Sequence, residues 1–415
     1  MKQYSFPNRL WARAGIYLFL TAILLLNRDT LYSSTVFGFN RTQFLMAGCM
    51  VLAGLLFLLV CRRDWKALLT DRRVYFALAC GAVLLLPMAV KRDWQLMYGT
   101  VYLAVLFGIF VSLFLTLQDA ARMYLNILCV LGVLSVLGTY VLSPLAARGV
   151  LPAPVVYNNI SQDFYCFGLS FASVTAISFR NFGVFREPGV YQYFLILGLF
   201  LNHYEANWDS GKKTWLVTGI LALTMVTTFA TGGLIEMLLF ALVLFFDKGW
   251  YRQKSGIIAA GVVVLLGAGL AAYMFLRKGT LYYGFLDAVS KFTTKHDSMT
   301  DRVGSIAANT GTFLHAPLFG GILRDTLYAV ANNTSSSTLM FALFGILGGA
   351  LHAASWVLLA WRRGGKVWTS ICLTVILFMS FNTENLITNP YFWLFPLMAV
   401  CQRYLPLLGK REAAA

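Results

Sequence analysis

Apolar runs separated by short charged breaks fill most of the chain, at 14–26, 44–60, 74–90, 96–117, 124–142, 190–201, 214–229, 234–246, 257–275, 339–359, 367–381 and 391–405. Each approaches the ~20 residues that carry an α-helix across a bilayer. The pattern predicts an all-α polytopic membrane protein of about twelve transmembrane helices, a single integral-membrane domain over 1–415. The run 167–178 reads as a helix that dips into the membrane. Two longer segments interrupt the rhythm, 143–189 and 276–338. In the second, Phe285, Leu286, Val289 and Phe292 fall at helical spacing, which predicts a short amphipathic helix on the membrane surface. It would act either as a lid over a lateral opening or as an interfacial packing element.

Composition agrees with the pattern. With 59% hydrophobic and 15% aromatic residues, the chain carries more apolar surface than one soluble core could hide. The first run ends in Leu26-Asn27-Arg28-Asp29 without the small residues of a cleavage site, so it is expected to remain as a helix. Lysine and arginine gather in one set of short connections: Arg62, Arg63, Lys66, Arg72, Arg73, Arg122, Lys212, Lys213, Lys248, Arg252, Lys254, Arg362, Arg363 and Lys366. Lys2, Arg9 and Arg13 at the start, and Lys410 and Arg411 at the end, join them. That side is expected to be cytoplasmic, with both termini on it and the two long loops outside. Topology and anionic lipid heads account for most of the +16 net charge, and nucleic-acid binding is not expected. The seven cysteines are scattered through apolar runs and read as small buried hydrophobes.

Against a background of only 12% charged residues, one cluster stands out: Arg180-Asn181-Phe182-Gly183-Val184-Phe185-Arg186-Glu187-Pro188-Gly189-Val190-Tyr191-Gln192. Pro188 and Gly189 break regular structure and the next apolar run follows at once, which places the cluster at a membrane surface. It reads as part of a site for an anionic substrate, or as an interfacial anchor in which Arg186 and Glu187 neutralise each other. The second loop adds Arg277, Lys278, Asp301-Arg302, His315 and Arg324, then Asn332-Asn333. Glu384 follows the eleventh run. Glu236 stands inside the eighth, where an ionisable group is costly and faces a polar cavity. His296, Asp297 and Asp301 are the nearest approach to a hard-ligand cluster, but they read as a solvated loop, so no metal is expected. Without a phosphate-binding loop or dinucleotide fingerprint, no cofactor is expected either.

The motif Arg-x-x-Gly-x-Phe-x-Glu-Pro-Gly from Arg180 to Gly189 resembles the signature of bacterial polysaccharide polymerases of the Wzy type, in the superfamily that includes the O-antigen ligases. Thr227-Thr228-Phe229-Ala230-Thr231-Gly232-Gly233 resembles that family's hinge between two helices, with alanine where serine is common. Asp301-Arg302-Val303-Gly304-Ser305, then His315-Ala316-Pro317-Leu318-Phe319-Gly320, resembles its second-loop arginine segment followed by Pro-Leu-x-Gly. Asn332-Asn333 lies where ligases carry His-Asn, and the missing histidine argues against a ligase. Glu384 resembles a glutamate near the last outer loop. The resemblance covers roughly Arg180 to Pro396 and implies a GT-C-like helical architecture in a bacterial inner membrane.

It also implies the reaction: a glycan leaves its polyprenyl (undecaprenyl) diphosphate and joins a hydroxyl of the next lipid-linked oligosaccharide. Guanidiniums suit the departing diphosphate, since arginine stays charged and presents a bidentate fork. Arg180 and Arg302 are the first choices, with Arg186, Arg277, Lys278 and Arg324 behind them. Glu187 and Glu384 are candidates to take the hydroxyl proton, with His315 and His296 in reserve. Tyr191, Gln192, Asn332 and Asn333 are expected to hydrogen-bond substrate. Expected partners are donor and acceptor lipid-linked oligosaccharides, membrane lipids, a chain-length regulator and a flippase. A ligase-type transferase and a transporter or flippase are the alternatives.

Overall fold

The computed structural model describes residues 9–36, 39–60, 68–158, 162–174, 180–254, 297–328, 333–361 and 365–407, with scattered positions between 256 and 276. The chain is mostly helical. Helices α1 (Arg9–Leu26), α2 (Phe39–Val60), α3 (Arg72–Lys91), α4 (Leu96–Phe114) and α5 (Leu117–Leu137) lead into a π-helical turn and the short α6 (Ser143–Ala147). After the first long loop come α7 (Pro188–Tyr204), α8 (Gly211–Thr228) and α9 (Thr231–Asp247). The second half holds α10 (Asp297–His315), α11 (Leu323–Tyr328), α12 (Ser336–Ala360), α13 (Val367–Phe381) and α14 (Pro390–Ala399).

Helices coincide with the apolar runs of the sequence, apart from 257–275, which lies mainly outside the described residues. By length and composition, four are able to cross a membrane: Arg72–Lys91, Leu96–Phe114, Leu117–Ala147 and Ser336–Ala360. Large apolar side chains such as Leu18, Leu216 and Leu238 face outward, as lipid-facing residues do in a membrane-embedded protein.

α7 and α14 form the centre. Along α7 almost every side chain from Val190 to Leu201 is buried, the mark of a helix enclosed on all sides. α14 is buried over its whole length and lies tight against α4, where a methyl group on Gly108 would come 2.8 Å from the Trp393 carbonyl. A proline occupies the first turn of each central helix, where its missing N–H costs nothing. Both helices start at the same end of the molecule, since Asn389, which caps α14, and Arg186, just before α7, both meet Asp29.

The all-α expectation needs one amendment. The first long loop carries an antiparallel three-stranded sheet, β1 (Val155–Tyr157), β2 (Asp163–Cys166) and β3 (Phe171–Ser173), with Val155 opposite Tyr165 and Phe164 opposite Ser173. Residues 167–178, expected as a dipping helix, instead contain a turn through Gly168 at φ +73° and then β3, as far as they are described. Phe164 and Phe171 bury against Phe182 and Leu31 and fasten the sheet to the chain just before α7.

In the second loop, residues 297–301, expected as a solvated loop, open the 19-residue helix α10, which lies against α12. The surface helix expected at 282–292 lies outside the described residues, as do Arg277, Lys278, His296 and Asn332. α12 breaks at Gly345, at φ +65°, where the backbone of Leu318 and Phe319 comes close enough to exclude any side chain. The break redirects its hydrogen bonds: the Ile346 amide donates to the Pro317 carbonyl, the Gly321 amide to Ala342, and Lys91 Nζ to the Leu343 carbonyl at 2.8 Å. The Pro-Leu-x-Gly segment is thereby built into a broken helix.

Candidate functional site

Arg186 is held by its neighbour Glu187 and by residues from two distant parts of the chain. Its guanidinium lies 3.0 Å from Glu187, 3.0 Å from Glu384 and 3.5 Å from Asp29. Backbone bonding fixes the approach: the Arg186 amide donates to the Asp29 carbonyl and the Leu31 amide to the Val184 carbonyl. Asn389 Nδ2 donates to the other oxygen of Asp29 at 2.7 Å. On the far side, the Ser336 hydroxyl bonds the Glu384 carbonyl and accepts the Leu386 amide, so the start of α12 grips the loop that carries Glu384.

One cation among three carboxylates leaves the group two charges in excess if all are ionised. Glu384 is the most strongly affected, pushed up to about 8 by burial first and then by the Glu187 charge, against the pull of Arg186. Arg186 is also pushed up and so keeps its charge: burial works against the charge, but Glu384, Asp29 and Glu187 outweigh it. Glu187 is 47% exposed and Glu384 only 8%, so the pair presents one open carboxylate backed by one that retains a proton near neutral pH. The fit is close, for a methyl group on Gly189 would stand 2.8 Å from Glu384 Oε1.

Arg180 and Asn181 border the hinge between α8 and α9. Arg180 Nε donates to the Thr228 carbonyl at 3.2 Å, while Asn181 Nδ2 donates to Thr227 and Ser135. Across the hinge, the Gly233 amide donates to Gln192 Oε1 at 2.7 Å, and Gln192 Nε2 reaches Thr383, beside Glu384. One turn further, Glu236 is buried next to Ser380 and within electrostatic reach of Arg302. Glu236 and Ser380 face each other, and Asn385 Oδ1 is buried without a hydrogen-bond partner among the described residues. Buried polar atoms are normally satisfied, so Asn385 offers a contact to a ligand or to water.

The site residues named from sequence divide accordingly. Arg180, Arg186, Glu187 and Glu384 border the start of α7, the hinge and the loop before α14, whereas Arg302 stands on α10 and comes only within electrostatic reach of Glu236. Arg186 differs from its expected part as a phosphate ligand, because three carboxylates occupy its guanidinium. Tyr191 and Gln192 point into the helical core. Tyr191 is fully buried, its ring against Phe185 and its hydroxyl 3.2 Å from Ser135, and Gln192 is spent on the hinge. Both lie within α7, which its neighbours enclose. His315 is exposed and bonds the Gly311 carbonyl one turn back, and Arg324 is exposed on α11. Asn333 exchanges hydrogen bonds with Asn309 of α10. Asp29 was missed, although it is an acid at the outer end of the first run, on the same expected side as the cluster.

No protein-family model, curated protein or solved structure matches the chain.

Proposed function

We propose that the protein is a glycan polymerase that joins polyprenyl-diphosphate-linked oligosaccharide units at the outer face of a bacterial cytoplasmic membrane. In this reading about twelve helices span the bilayer, both termini are cytoplasmic, and the carboxylate cluster faces outward. The observation that carries it is the pairing of exposed Glu187 with buried Glu384 across Arg186. An exposed carboxylate in that place can take the proton that transfer to a sugar hydroxyl releases.

The acceptor hydroxyl oxygen attacks the anomeric carbon of the donor, and its proton passes to Glu187, with Glu384 as the second carboxylate of the pair. The bond from the anomeric carbon to the lipid diphosphate breaks, and its electrons leave on the diphosphate. Arg302 and Arg180 supply positive charge to that leaving group. Arg186 fixes the two acids, and Asp29 fixes Arg186. The hinge sets the distance between base and cations, because Gln192 joins Gly233 to Thr383.

The test uses purified protein in detergent with lipid-diphosphate-linked repeat units from the host. Lengthened glycan, lost in Glu187→Gln and Arg302→Ala proteins that still fold, supports the reading. Vectorial transport across a sealed bilayer without any change in glycan length would replace it with a transporter.

A further inference from the structure

The far end of α7 carries a second polar site. A cleft of about 360 Å³ opens there between the start of α1, the start of α5 and the connection from α7 to α8. The 17 residues of α7 separate it by roughly 25 Å from Arg186. Arg13, Arg122 and Lys213 line it, with Tyr17, Met123 and Trp208.

The two acids of the cleft are already engaged. Asp209 lies 3.3 Å from Arg122, and Asp119 accepts the Thr116 hydroxyl at 2.7 Å within its own helix cap. Arg122 is further held by the Ala206 carbonyl at 2.7 Å. Arg13 and Lys213, both exposed, make no ion pair among the described residues. Lys213 Nζ stands 3.8 Å from the centre of the Trp208 ring, which is itself fixed by a 2.7 Å bond from its indole N–H to Asn202. Tyr17 accepts a hydrogen bond from Asn126 at 2.8 Å.

We infer that this cleft binds the phosphodiester headgroup of an anionic phospholipid in the leaflet opposite the carboxylate site. Arg13 and Lys213 meet the phosphate oxygens, and Trp208 and Tyr17 lie at headgroup depth, where amphipathic rings settle. Met123 forms a buried apolar floor, and the flanking helices present Leu18, Trp215 and Leu216 outward, a surface along which acyl chains run. A free phosphate ion has no use for such a surface. The inference requires only that these helices lie in a membrane, and it stands or falls separately from the polymerase reading.

Native mass spectrometry of the full chain, released from detergent supplemented with equal phosphatidylglycerol and phosphatidylcholine, tests it. The expected result is retention of phosphatidylglycerol, reduced roughly tenfold in an Arg13→Gln/Lys213→Gln double variant. Ser210→Glu, which puts a carboxylate on the rim and removes no existing cation, should cause a similar loss. Millimolar inorganic phosphate should not displace the lipid. Equal retention of both lipids, wild-type retention by the variants, or displacement by phosphate would each overturn the assignment.

Discussion

Glu384 Oε2 lies 3.0 Å from the Arg186 guanidinium although 198 positions separate the two residues in the chain. The contact closes a ring in which the connection after α1, the start of α7 and the loop before α14 share one cation. Replacing Arg186 with glutamine leaves mostly buried carboxylates facing one another, a change expected to cost about 3–5 kcal/mol. Thermal unfolding in detergent should show the loss, and adding Glu384→Gln should restore part of it. If the second substitution restores nothing, the two side chains are not coupled.

The carboxylate pair sets a pH dependence. Glu384 is raised from 4.5 to about 8, so the folded protein holds a proton there that the unfolded chain releases. The stability this contributes is fully present below about pH 4.5 and is lost as pH rises through about 8. An infrared band from a protonated carboxyl should therefore persist at neutral pH, disappear near pH 8 and be absent from Glu384→Gln. Glu187→Gln removes a like charge and should move the transition to lower pH; movement to higher pH would contradict the assignment.

Two glycines of the motif should respond differently. Gly183 has φ +59°, and a methyl group there would stand 2.7 Å from the Tyr191 ring, so Gly183→Ala should destabilise the fold by about 1–3 kcal/mol. Gly189→Ala instead presses on the Glu384 carboxylate, and a displacement of this size can cost about a hundredfold in turnover. Turnover and melting temperature measured together should separate the two effects.

Arg302 should matter as a fork as well as a charge. Arg302→Ala should reduce kcat by roughly 10²–10³ if it meets the leaving diphosphate, and Arg302→Lys should recover only part, since lysine keeps the charge without the bidentate geometry. Equal activity of the lysine variant and wild type would limit Arg302 to a general field.

The helices were legible because a bilayer demands long apolar runs, and the run at 367–381 corresponds residue for residue to α13. Glu187 and Glu384 were legible as acids outside apolar runs, but their union was not, because it depends on Asp29 and on Ser336 at the start of α12. The sheet was hidden because the apolar residues of 167–178 read as a membrane-dipping helix, while Phe164 and Phe171 in fact bury against Phe182 and Leu31. The burial of Tyr191 and Gln192 was not legible, because polarity alone does not reveal that α7 is enclosed on every side. α10 was missed because nothing in Asp297–Asp301 signals that α12 will support a helix there.

The most direct measurement is product length when purified protein in detergent is given a lipid-diphosphate-linked repeat unit from its own host, with Glu187→Gln, Glu384→Gln and Arg302→Ala in parallel. A ladder of lengthened glycans from the wild-type protein, absent from folded variants, is the predicted result. If no ladder forms and adding a lipid A-core acceptor yields transfer, the protein is a ligase; if neither acceptor is extended, the account of a glycan polymerase is wrong.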